Sequence, residues 1–211
     1  MKLSQMLREG TGEEHKKAER SEFIQSMFKG QISKEAYVKQ LECMYYLYST
    51  LEGEVEIHKN TKDVCNFYFP ELRRRESLYS DLIFFMGTSY HPGSPLEKTA
   101  KYIDHIKHIS DREPIKLIPH AYVRYLGDLS GGQILGKIIR KTFSLSENLG
   151  DAFFTFPIED VDQFKNIYRA RLDELTEDES VKQGLLLEAK LAFQMNGEIL
   201  SDLDVYLLSP K

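Results

Sequence analysis

The chain of 211 residues is short of cysteine, of net positive charge and of unbroken apolar runs, and each shortage excludes a class of protein. Cys43 and Cys65 are its only cysteines, and no Cys-x-x-Cys occurs. Neither a disulfide scaffold nor a zinc knuckle is indicated, and two free thiols in a reducing cytosol are the simple reading. Lys and Arg number 28 against 33 Asp and Glu, a formal charge of −5. That balance argues against general nucleic-acid binding while leaving room for a local basic patch. No stretch reaches the ~18 consecutive apolar residues of a membrane span. The opening MKLSQMLREGTGEEH carries acids early and no apolar centre, unlike a secretory signal. The closing run from Val205 to Lys211 is too short for a tail anchor. The expectation is a soluble protein that binds neither membrane nor nucleic acid.

Several catalytic and metal-binding motifs are also missing. Without Glu-x-x-His, the di-iron site of ferritin-like bundles is unsupported. There is no Cys-x-x-Cys-His, no His-Glu-x-x-His and no Gly-x-Ser-x-Gly nucleophile turn. Gly131-x-x-x-x-Gly136-Lys137 copies most of a phosphate-binding loop. However, Ile138 stands where a Ser or Thr must hold magnesium, and no strand precedes it.

What is present is helical periodicity. A composition 41% hydrophobic and 29% charged is ordinary for a globular chain, and this length suits one domain over residues 1–211, burying roughly 70% of its unfolded surface. Leu3, Leu7, Thr11, His15 and Ala18 share one stripe; Tyr37, Leu41, Tyr45, Tyr48, Leu51 and Val55 share another. Further helices are predicted from Leu72 to Phe85, Ala100 to Ile109, Ile115 to Phe143, Val161 to Leu175 and Val181 to Leu208. Ser33 is a candidate N-cap, and His91-Pro-Gly-Ser-Pro95 and Phe156-Pro157 punctuate the pattern. The prediction is a single compact all-α domain of about seven or eight helices.

Anomalies on those helices are the candidate site residues. Gly127-Asp-Leu-Ser-Gly131-Gly132 interrupts a strongly helical stretch, and three glycines forgo about 3 kcal/mol of helix propensity. With Gly127 and Gly131 four apart, bare backbone faces either a close-packed helix or a flat ligand. His15 lies on an apolar stripe with Glu19 one turn on, which suits either a satisfied core histidine or a ligand to a metal or haem iron. Tyr48, Tyr102, Arg124, Asp128 and Asn196 are polar groups at or beside core positions. They form either structural glue or a wet network able to deliver protons. His105-x-x-His108, with Asp104 and Asp111 nearby, is either solvated helix surface or a surface metal grip. His58 and His91 look solvated, and His120 looks structural. Lys137-Ile-Ile-Arg140-Lys141 is a basic cluster, either solvated surface or a dock for an acidic electron donor.

Several longer strings then carry a resemblance. Arg8-Glu-Gly-Thr with His15-Lys-Lys-Ala-Glu19, Tyr68-Phe-Pro-Glu-Leu72 and Ala152-Phe-Phe-Thr-Phe-Pro157 closely resemble the haem oxygenase family. So do His120-Ala-Tyr-Val-Arg-Tyr-Leu-Gly-Asp-Leu-Ser-Gly-Gly-Gln133 and Glu188-Ala-Lys-Leu-Ala-Phe-Gln-Met-Asn196. The similarity runs from about Leu3 to Leu203.

The resemblance implies that haem b is both substrate and prosthetic group, held between the first helix and the glycine-rich helix. His15 is then the iron ligand, oriented by Glu19, with Phe193 a further haem contact. Gly127 and Gly131 put backbone on the distal side. Asp128, supported by Tyr48, Arg124 and Asn196, holds the water that supplies protons while dioxygen is activated. Arg8, Lys165 and Arg169, with Tyr122, anchor the propionates. Gly12 departs from the pattern, since some members carry a lysine there. The implied products are biliverdin, carbon monoxide and ferrous iron. Electrons come from a reduced donor, either ferredoxin docking near Lys137, Arg140, Lys141 and Arg171 or a flavoprotein reductase. A monomer in the cytoplasm, or in a plastid stroma after loss of a transit peptide, completes the expectation. The alternatives are a haem carrier or sensor on the same fold, which needs no proton relay, and a helical interaction module that binds no haem.

Overall fold

Helical periodicity becomes ten α-helical segments among the described residues, 1–146 and 149–208 of the computed structural model, with no β-strand among them. The end of the Val205 to Lys211 run, residues 209–211, lies outside the described residues. In order the helices are α1 (Leu3–Gly10), α2 (Gly12–Glu19), α3 (Glu22–Phe28), α4 (Lys34–Ile57) and α5 (Arg75–Met86). They continue as α6 (Glu97–Arg112), α7 (Leu117–Gly127), α8 (Gln133–Thr142), α9 (Val161–Glu174) and α10 (Glu179–Leu203). No helix is long and apolar enough to cross a membrane among the described residues.

The two longest helices organise the rest. α4 packs against α5, α6, α7 and α10, and α10 packs also against α1, α2, α3, α6 and α7. Both begin at side-chain caps, which satisfy amides that have no partner within the helix. Ser33 Oγ accepts the Ala36 N–H at 3.1 Å, and Asp178 Oδ1 accepts the Ser180 N–H at 2.8 Å. Four tyrosines, Tyr37, Tyr48, Tyr102 and Tyr168, are among the largest fully buried side chains of the core.

Several details differ from the sequence reading. The first stripe is not one helix: it breaks at Thr11, whose hydroxyl donates to the Leu7 carbonyl at 2.7 Å. A short α3 then follows a Ser21 cap and buries Phe23 and Met27, a pair too brief for a period to announce. His58, expected to be solvated, is instead half-buried, with Nε2 3.0 Å from Ser110 Oγ.

Asp81 on α5 ties a distant segment to this core. Its two carboxylate oxygens accept the N–H groups of Ala152 and Phe153, each at 2.8 Å. That fixes a turn whose Phe153 ring meets Tyr48 edge-on at 5.6 Å. Burial pushes the Asp81 carboxyl up to about 6 against the pull of those amides, and Asp151 adds to the rise. A carboxyl with a higher pKa folded than unfolded (3.8) stabilises the fold when protonated in both states, and the contribution is lost as pH rises through about 6. The loss is roughly 3 kcal/mol. In denaturant titrations at pH 4 and pH 7, Asp81→Asn should lack this part of the pH dependence; a curve parallel to that of the parent would remove Asp81 as its source.

Candidate functional site

α2 buries none of its residues, although α1 buries Leu3, Met6 and Leu7 along the same stripe. His15 is therefore no core histidine, for its side chain is 55% exposed. Its Nδ1 lies 3.7 Å from Glu19 Oε2, one turn away, and Nε2 has no partner among the described residues. The ring meets Phe193 of α10 edge-on, with centroids 5.9 Å apart.

The glycine-rich run does not continue as α-helix. Asp128–Gly132 forms a π-helical insertion between α7 and α8, a local widening that sequence period cannot reveal. A Cβ built on Gly127 or Gly131 would meet nothing within 4 Å, so these glycines face open space rather than a neighbouring helix. Close packing occurs one turn on: a Cβ at Gly136 would lie 2.7 Å from Phe154 Cβ. The two kinds of glycine separate by substitution. Gly136→Ala should destabilise the apoprotein by about 1–3 kcal/mol through overpacking. Gly131→Ala should leave its stability within about 1 kcal/mol while weakening haem binding, as thermal melts and haem titrations of both variants will test.

Behind the insertion, four of the five predicted polar groups meet. The buried Tyr48 hydroxyl donates to Asp128 Oδ2, and Arg124 Nε donates to Tyr48 Oη at 3.1 Å. Arg124 Nη1 donates to Asn196 Oδ1 at 2.8 Å, while Nη2 lies 3.7 Å from Asp128 Oδ1. Asn196 Nδ2 closes on the Ala192 carbonyl at 2.7 Å. Burial raises the Asp128 carboxyl, opposed by the Arg124 charge and the Tyr48 hydrogen bond. Tyr102 stands at the edge of this group, beside Asn196 and Arg124, with its Oη 2.7 Å from His120 Nδ1. Phe193 and Asn196 stand three residues apart on α10, so one turn of that helix carries both the contact to His15 and the anchor of Arg124.

The predicted cations fall into two sets. Tyr122 of α7 has its phenol raised by burial, opposed by the nearby charges of Arg169 of α9 and Arg8 of α1. Lys165, one turn before Arg169 on α9, holds Asp162 at 2.8 Å. Lys137 and Lys141 are exposed on α8. Arg140 is engaged, its Nε 2.6 Å from buried Asp151. Arg171 is likewise occupied: it donates to the Asn66 carbonyl at 2.6 Å and lies 4.3 Å over the Phe69 ring. His105 does not pair with His108; it turns inward to Glu188 of α10, which also takes His120.

Known proteins share this arrangement of sequence and fold. The family model described as Heme oxygenase matches residues 1–202. Heme oxygenase 2 of Macaca fascicularis is 39% identical over 206 residues, 96% of this chain and 65% of that protein, so the chain spans just under two thirds of that relative's length. The solved structure of heme oxygenase from Leptospira interrogans superposes with a TM-score of 0.92 at 46% identity, covering 96% of this chain and 100% of that one. Heme oxygenase-1 from the cyanobacterium Synechocystis, solved in complex with heme, gives 0.94 at 36% identity over 99% of this chain and 95% of its own. With sequence and backbone matching from α1 to the end of α10, the chain belongs to the haem oxygenase family.

Proposed function

We propose that the protein cleaves haem oxidatively at a meso carbon to biliverdin, carbon monoxide and ferrous iron, with haem as both substrate and prosthetic group. The observation that carries this reading is the unfinished face of α2. A half-exposed imidazole stands beside Phe193, one turn of α10 from a fully connected Tyr48–Arg124–Asp128–Asn196 network. Bound haem supplies the iron and the porphyrin edge at which dioxygen reacts; the protein supplies orientation and protons.

His15 would hold the iron through Nε2 while Glu19 orients the ring at Nδ1. Gly127 and Gly131 would let backbone approach a flat ring, because neither carries a side chain and a Cβ at either would meet nothing within 4 Å. Asp128, held by Tyr48 and Arg124, keeps ordered water in place and passes protons at its carboxylate oxygens. Arg8, Arg169 and Lys165, with Tyr122, take the propionates at the mouth. Reduced ferredoxin is the proposed electron donor, steered to Lys137 and Lys141 on α8, with the protein acting as a monomer in the cytoplasm or a plastid stroma.

One equivalent of haemin added to the purified protein should give a histidine-ligated Soret band. The band should then decay to biliverdin when reduced ferredoxin is supplied in air. A Soret band stable under ferredoxin, a flavoprotein reductase and ascorbate would instead make the protein a haem carrier or sensor.

A further inference from the structure

A second set of histidines lies away from the α2 face. His105 of α6, His120 of α7 and Glu188 of α10 converge from three helices, with their donor atoms all within 4.8 Å of one another. Glu188 Oε1 is 2.6 Å from His105 Nε2 and 3.0 Å from His120 Nε2. Both imidazoles thus aim the same nitrogen at one carboxylate oxygen. We propose that His105, His120 and Glu188 form a binding site for a divalent first-row transition-metal cation.

The donor set is two imidazoles and one carboxylate, which suits Zn²⁺, Co²⁺ or Fe²⁺ and leaves a coordination position for water. His120 is fully buried, and its other nitrogen is held by the Tyr102 hydroxyl at 2.7 Å, the outer contact that fixes ring orientation at metal sites. His105 retains 22% of its side-chain exposure and opens the site to solvent, so a cation can enter without unfolding. Metal–ligand bonds of about 2.0–2.2 Å in tetrahedral geometry set donors about 3.4 Å apart, so each of the two N···O pairs needs to lengthen by less than about 1 Å. Each neutral ring then carries its proton on Nδ1 while Nε2 faces the cation, at His120 as a donor to Tyr102 Oη, and the charge of the Glu188 carboxylate is met by the metal. Lys116 opposes binding: its Nζ lies 4.0 Å from Glu188 Oε2, though its closer partner is Glu113 at 2.9 Å.

A cation here cross-links α6, α7 and α10. It therefore stiffens the rear of the Arg124–Asn196 contact, because Asn196 follows Glu188 by two turns on α10.

The test uses the full chain, stripped with EDTA and loaded with haem or left free. Co²⁺ is followed by its visible d–d absorption, and Zn²⁺ by competition with a chromophoric chelator. The expected result is one equivalent bound with Kd below about 10 µM, with Tm raised by about 5–10 °C at a hundredfold excess over Kd. His105→Ala should weaken binding at least about 30-fold without lowering the metal-free Tm by more than a few degrees. Lys116→Ala should tighten binding several-fold, a gain that an unfolded variant cannot imitate. His15→Ala should leave Kd unchanged, since that imidazole lies in the other site. Absence of a stoichiometric site, affinity unmoved in His105→Ala, or loss of the bound cation in His15→Ala would each overturn the proposal. None of these outcomes bears on haem cleavage.

Discussion

Replacing His15 by alanine should leave the apoprotein as stable as before and abolish haem turnover. The side chain is half-exposed, and α2 buries nothing, so removing the imidazole opens no cavity in the core. Exposed substitutions of this kind cost within about 0.5 kcal/mol, which keeps Tm within about 2 °C. Haem binding should depend on the same ring differently, because its imidazole is the proposed iron ligand. The histidine-ligated Soret spectrum should vanish, and biliverdin formation should fall by about 100-fold or more. Differential scanning calorimetry and a haemin titration on one preparation separate the two effects. A drop of many degrees in Tm would return His15 to the core, and retained ligation would move the iron ligand elsewhere.

Asp128→Asn should have the opposite signature on haem: binding retained, turnover lost. The carboxylate stands behind the open glycine face and touches Tyr48 and Arg124. The amide preserves its shape, so haem affinity should change no more than a few-fold. Positioned proton transfer contributes typically 10²–10⁴-fold, and yield should fall by about 100-fold at the low end of that range. Loss of the negative charge also leaves half-buried Arg124 with Tyr48, Asn196 and the Met44 sulfur, none of them charged, at a stability cost of about 1–3 kcal/mol. Single-turnover absorbance, with Tm measured beside it, tells the contributions apart. Normal biliverdin yield in a destabilised variant would make the network structural glue.

Much of the helical layout was legible in the residue order because its causes are local. The Ser33 cap, the 3.6-residue period of α4 and α10, and the Pro-rich break before α6 all act within a few residues. The strings around His15, Gly127 and Asn196 likewise point to a family by residue identity alone. The Thr11 break and α3 escaped notice because each is a single turn or two, too short for a period to emerge.

Which glycine is open and which is packed was not written in spacing. Gly131 and Gly136 look alike in sequence, yet Phe154, arriving from a segment that Asp81 pins, crowds only the second. The π-helical insertion, the inward turn of His105 toward Glu188 and the pairing of Tyr102 with His120 have the same origin. Each depends on partners tens of residues away. The chain by itself determined its helices, its family and its chemical inventory, since those depend on local propensity and residue identity. Only tertiary packing decided which polar groups meet and which faces stay open, because burial and hydrogen-bond satisfaction are properties of neighbours in space.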